Sequence, residues 1–283
     1  MTRQSVNILS ILFTVIFMVN ANFLVFAQNT NVSTGKQSNA SRIKSRSRYL
    51  ETDSIRIHYL EWNHSSDSTI ILLHGLYDDA DIWSAVAPLL ARDYRVIALD
   101  RRGAGLTDKP DKGYDFQTLG KDVLAVINKL KLQRVRLVGH SAGAGVALTV
   151  AATEPDKIDS VVLVDGGFWA KRAESSDAKS VSPCNAKTVE CKRISAIERG
   201  SMNYDAESLY ARVSAPTLLI MGIPAKSEAE QFARELQEAR SHVEKVANEK
   251  LRNGQMVIIG ETSHWIQRDQ PNELASVIKS FFE

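Results

Sequence analysis

The stretch RLVGHSAGAG, residues 136–145, decides how the chain is read. It is a short apolar strand that runs into glycines placed around one serine, Ser141. Gly139-His140-Ser141-Ala142-Gly143 fits G-x-S-x-G, the pattern of a serine on a sharp strand-to-helix turn. A serine at such a strained backbone position needs small flanks, which Gly139 and Gly143 supply, and Gly145 lets the following helix pack closely. A glycine-rich strand-to-helix turn can also bind phosphate. The chain has no G-x-G-x-x-G opening a first strand and no P-loop lysine, so the nucleophile reading is the stronger one. A nucleophilic serine then requires a base elsewhere in the chain.

Outward from this turn the segments alternate. Residues 54–62 alternate apolar and polar side chains as a half-buried strand does. Residues 68–75, 94–100, 134–139, 160–167, 215–222 and 255–260 are further strands, mostly continuous apolar runs. Helical stretches are expected at 80–91, 117–131, after Ser141, at 227–251 and at 270–282, the last with Pro271 near its start. The stretch 117–131 carries an apolar stripe of Leu119, Val123, Val126, Ile127 and Leu130. Apolar strands alternating with helices predict an α/β fold with a mostly parallel central sheet and helices on both faces. The alternation breaks at Phe168. Residues 168–215 have no strong strand signal and are read as a short cap inserted over the strand ends.

The segments LLHGL (72–76), DRRGAGLTDKP (100–110), GHSAGAG (139–145) and GETSHWIQRDQP (260–271) together resemble the α/β-hydrolase fold superfamily. The resemblance covers about residues 48–283. It implies a serine hydrolase with Ser141 as nucleophile and His264 as base. The N–H groups of Leu76 and Ala142 would be the oxyanion donors. His74, Asp100 and Gly103 are expected to be structural. The acid departs from the family pattern. The slot three residues past Gly222 holds Ala225, which leaves three readings open: Asp165 at the end of the preceding core strand, Glu228 (or Glu230) beyond the slot, or no acid at all. Phe168, Trp169 and Trp83 are candidate apolar liners of a substrate site, while Trp265 is read either as packing near the site or as pointing outward. No metal and no cofactor is expected.

The chain has 283 residues, 44% of them hydrophobic and 24% charged, with a formal net charge of +2. That is enough for one sizeable core and shows no global bias toward nucleic acid. Residues 1–27 combine Arg3, an uncharged run from Ile8 to Ala27 and small residues at Val25 and Ala27, and are read as a signal peptide. The same run is long enough to span a bilayer, so an uncleaved anchor over 8–27 is the alternative. Residues 28–47 are read as a disordered linker. The expected location is secreted or periplasmic, with membrane contact only if the N-terminal segment stays uncleaved. Cys184 and Cys191 are expected to pair, closing a loop that stabilises by roughly 2–3 kcal/mol. The expected function is hydrolysis of a small ester, lactone or amide through an acyl-enzyme on Ser141. Two alternatives are kept: a catalytically weak binding or receptor protein on the same fold, and a cofactor-free peroxidase-like activity.

Overall fold

The computed structural model describes residues 43–167, 205–225 and 233–283. The stretch read as a signal peptide, most of that read as a linker, that read as a cap as far as residue 204, Phe168, Trp169, Cys184, Cys191, Glu228 and Glu230 lie outside the described residues. Eight strands form one sheet: β1 (Arg46–Glu51), β2 (Arg56–Trp62), β3 (Thr69–Leu73), β4 (Arg95–Leu99), β5 (Val135–His140), β6 (Ile158–Val164), β7 (Thr217–Gly222) and β8 (Gly254–Ile259). Their order is β1-β2-β4-β3-β5-β6-β7-β8. Only the β1/β2 and β2/β4 pairs are antiparallel, and every pair from β4/β3 onward is parallel.

The parallel strands are mostly apolar because both faces are covered. Ile71, Leu73, Leu137, Leu163 and Leu219 face one core cluster, and Ile70, Leu72, Val138, Val162 and Leu218 face the other. The first cluster is closed by α2 (Phe116–Lys129) and α3 (Ala142–Thr153), with α4 (Glu207–Tyr210) and α5 (Ala233–Lys245) beside them. The second is closed by a 3₁₀ turn at Ala80–Trp83, α1 (Ala87–Leu90), α6 (Ile266–Asp269) and α7 (Pro271–Phe282). Asp115 caps α2 by accepting from Thr118 N–H, which satisfies one of the donors a helix start leaves over.

Three differences from the sequence reading have local causes. β1 begins at Arg46, inside the stretch read as linker, and pairs along its whole length with β2. Its exposed basic residues hide the apolar alternation that marks a strand. The helix expected over 80–91 is split in two. Asp79 caps the 3₁₀ turn, and Pro88 stands in the first turn of α1, where its missing N–H is tolerated. Trp83 is a correction: it is fully buried among Ile70, Leu72 and Leu90 rather than lining a cleft. Truncating so large a side chain leaves a cavity. Trp83→Ala is expected to lower the unfolding free energy by about 3–5 kcal/mol. Urea denaturation measures that loss, and the specific activity of the folded fraction should stay near wild type.

Candidate active site

Ser141 stands between β5 and α3 with φ 52° and ψ −118°. This is a left-handed backbone conformation that a side chain rarely adopts, and it costs on the order of 1–3 kcal/mol. The turn is held by backbone contacts that exclude side chains. A Cβ added at Gly139 would lie 2.3 Å from the carbonyl oxygen of Gly143, and one at Gly143 would lie 2.3 Å from that of Leu73. A Cβ at Gly166 would lie 2.4 Å from the Ser141 carbonyl oxygen. The ends of β3, β5 and β6 and the start of α3 therefore meet at Ser141. Ser141 N–H donates to the Val164 carbonyl at 2.9 Å, tying the turn to β6.

Ala142 is the first residue of α3, where N–H groups have no intrahelical partner. Leu76 follows Gly75, whose added Cβ would stand 3.2 Å from Ser141 Cβ. The loop after β3 thus abuts the serine. Behind it His74 is fully buried. Its Nδ1–H donates to the Gly75 carbonyl at 2.8 Å, and its Nε2 accepts from Arg101 N–H at 3.0 Å. Those two bonds fix a neutral tautomer, and burial, reinforced by the Arg101 charge, pushes its pKa well below the usual histidine range. Arg101 also donates to the Gly75 carbonyl at 2.6 Å, and burial lowers its pKa to about 10.

His264 lies in the loop after β8. Its Nδ1 is 2.6 Å from Asp165 Oδ2. A carboxylate only accepts, so Nδ1–H donates and Nε2 keeps its lone pair. Asp165 itself has φ 45° and its other oxygen faces Gly222 N–H at 3.4 Å. The sequence reads His140 as the variable position of the elbow, supporting the turn. It is fully buried, and its Nε2–H donates to the His264 carbonyl at 2.7 Å, so the residue before the serine anchors the loop that carries His264. The signal was its place inside the elbow. Burial, and then the nearness of His264, pushes the His140 pKa down to about 4. Trp265 turns toward the site, with Nε1–H donating to Asp78 Oδ2 at 3.4 Å. Among the described residues no group of three or more His, Cys, Asp or Glu is arranged to hold a metal ion.

A second chain of the same side-chain types lies elsewhere. Ser47 Oγ is 2.8 Å from His58 Nε2, and His58 Nδ1 is 2.8 Å from Asp100 Oδ2. Ser47 sits inside a paired strand with no helix start behind it, so the arrangement lacks the donors that acyl transfer needs. Asp100 also accepts from the N–H groups of Ala80 and Leu106, each at 2.7 Å. This chain ties β1 and β2 to the loops after β3 and β4, in keeping with the structural role expected of Asp100.

With this geometry in hand, the comparisons can be read. The family model described as alpha/beta hydrolase fold matches residues 68–184. A non-heme chloroperoxidase from Streptomyces lividans is 38% identical over 115 residues, which is 40% of this chain and 42% of that protein. The chain spans less than half the length of the curated relatives it matches. The solved E-2-(acetamidomethylene)succinate hydrolase superposes with a TM-score of 0.66 at 22% identity, covering 84% of this chain and 99% of that one. A bromoperoxidase from Bacillus anthracis gives a TM-score of 0.66 at 19% identity, covering 84% and 99%. At such identities these structures report on the fold.

The buried neutral His140 makes stability depend on pH. Its folded pKa is depressed to about 4 from 6.5, so below pH 6.5 the unfolded state binds more protons. Its contribution is complete above pH 6.5 and is lost as pH falls toward 4. The loss attributable to His140 is about 3 kcal/mol, and His74 acts in the same direction. Urea unfolding at a series of pH values checks this, and His140→Gln is expected to flatten the profile.

Proposed function

We propose that this chain, an α/β-hydrolase-fold protein, cleaves a small ester, lactone or amide through an acyl-enzyme on Ser141. The observation that carries the reading is the 2.6 Å contact between Asp165 and His264, on loops that meet the strained serine turn. In this reading Asp165 holds the Nδ1–H tautomer, so His264 Nε2 is the lone pair that takes the Ser141 proton. Ser141 Oγ then bonds to the substrate carbonyl carbon, and the carbonyl oxygen becomes an oxyanion facing the N–H groups of Leu76 and Ala142. The imidazolium, stabilised by Asp165, returns the proton to the leaving group as the C–O or C–N bond breaks. Water, deprotonated by the same nitrogen, releases the acid and restores the serine. The segment 1–27 carries the further proposal that this chemistry takes place outside the cytoplasm.

A second activity on the same acyl-enzyme is favoured by the chloroperoxidase and bromoperoxidase matches. Hydrogen peroxide in place of water would attack the acyl group and leave as a peracid, which oxidises bromide or chloride and returns the carboxylic acid. Halogenation that needs peroxide, a carboxylic acid and Ser141 together is its signature.

A fluorophosphonate probe is expected to label Ser141 on the wild-type protein and not on Ser141→Ala, read by intact mass. Absence of labelling on the folded wild type would reject the nucleophile. Asp165→Asn is expected to keep the fold and lower kcat on p-nitrophenyl butyrate by about 10⁴. A loss smaller than tenfold would pass the acid role to another carboxylate.

A further inference from the structure

The loop after β3 brings a second carboxylate to this corner. A Cβ added at Gly75 would stand 3.2 Å from Ser141 Cβ and 3.3 Å from Asp78 Oδ2, so the serine side chain and the carboxylate flank one point. The same oxygen, Asp78 Oδ2, accepts from the indole of Trp265, the residue directly after the proposed base. Asp78 therefore bridges the loop that offers the oxyanion donor and the loop that carries His264.

The charge of Asp78 is poorly offset. No Lys or Arg nitrogen forms an ion pair with it among the described residues. Arg101 acts on it from a distance, with its guanidinium donating to the Gly75 carbonyl instead. The nitrogen of His140 that faces it, Nδ1, is 4.0 Å away and has no hydrogen-bond partner. His140 is neutral and its proton is on Nε2, so Nδ1 turns a lone pair toward the carboxylate. Asp79 adds like charge from the next position, and His264 gains positive charge only when it takes a proton. Burial, with Asp79 contributing, holds the Asp78 carboxyl above the usual range. Negative charge gathered on acceptors with few donors attracts a cation and repels an anion, and low-dielectric walls strengthen both effects.

Resting on the reading of Ser141 as nucleophile, we propose that Asp78 is a specificity-determining residue that favours substrates with a cationic group, such as an ammonium, near the scissile bond and disfavours those with a carboxylate there. The test compares three p-nitrophenyl esters of matched length: butyrate, 4-(trimethylammonio)butyrate and the glutarate monoester. Wild type is expected to rank them cationic, neutral, anionic in kcat/KM. Asp78→Asn keeps the size and the oxygen facing Trp265. It is expected to lower kcat/KM for the cationic ester roughly tenfold relative to the neutral ester and to raise that for the anionic ester relative to it. Asp78→Glu should restore the ranking. An unchanged cationic-to-anionic ratio in Asp78→Asn overturns the proposal. If wild type turns over none of the esters, the hydrolase reading fails, and the charge preference is read from binding alone. Benzyltrimethylammonium should then raise the Tm of wild type but not of Asp78→Asn, with phenylacetate doing neither. Equal shifts in both proteins would overturn the role of Asp78.

Discussion

The structure depends on a crowding of backbone at one point. Ser141 is held at a positive φ because β5 must stop and α3 must start within a residue, and other strand ends press on that turn. Gly139 touches the first turn of α3, Gly143 touches the end of β3, and Gly166 touches Ser141 itself. At each place a methyl group would overlap main-chain atoms, which cannot swing aside as a side chain can. Local strain persists only where the surroundings over-determine it. Here they do so through a sheet packed on both faces, with β3, β5 and β6 at its centre. The strain is therefore a product of the whole fold, and it leaves the serine half-buried at the helix start.

Two histidines near this point are kept neutral, and each supports a loop. His74 ties the loop after β3 to the chain after β4, and His140 ties the serine turn to the loop of His264. His74 does so through one donating and one accepting nitrogen, a division open only to the uncharged ring, whereas His140 donates from Nε2 and leaves Nδ1 without a partner. The polar shell thus contributes orientation at the expense of acid stability. His264 differs in that its side chain is 43% exposed and its partner is a carboxylate.

Much of the fold was legible because it is written in apolar periodicity. The six parallel strands are rich in Val, Ile and Leu, and glycines mark the turn at Ser141. β1 was not legible, because an edge strand of RSRYLE carries its information in pairing to β2 rather than in its own pattern. Trp83 was misread because an aromatic side chain near a strand end fits a cleft and a core equally well in one dimension. The buried role of His140 was hidden for a related reason. Its partner is the main chain of His264, 124 residues away, and main-chain acceptors leave no trace in the sequence.

The Asp165–His264 pair shows how neighbouring strands bring two side chains together. The order β6-β7-β8 puts β7 between Asp165 and the loop of His264. A carboxylate leaving the tip of β6 must pass over the end of β7 to reach Nδ1. Gly222 ends β7, and a Cβ there would lie 2.5 Å from Thr262 Oγ1, so the exit of β7 and the His264 loop pack as closely as main chain allows. The Ile223 N–H bond to Ile259 and the Thr262 N–H bond to Ile223 draw the same two segments together. That brings His264 within reach of β6, and the positive φ of Asp165 leaves its carboxylate between Gly222 N–H and His264. Ala225 can then be small at no cost to the pair, because Asp165 meets the imidazole from one strand further in.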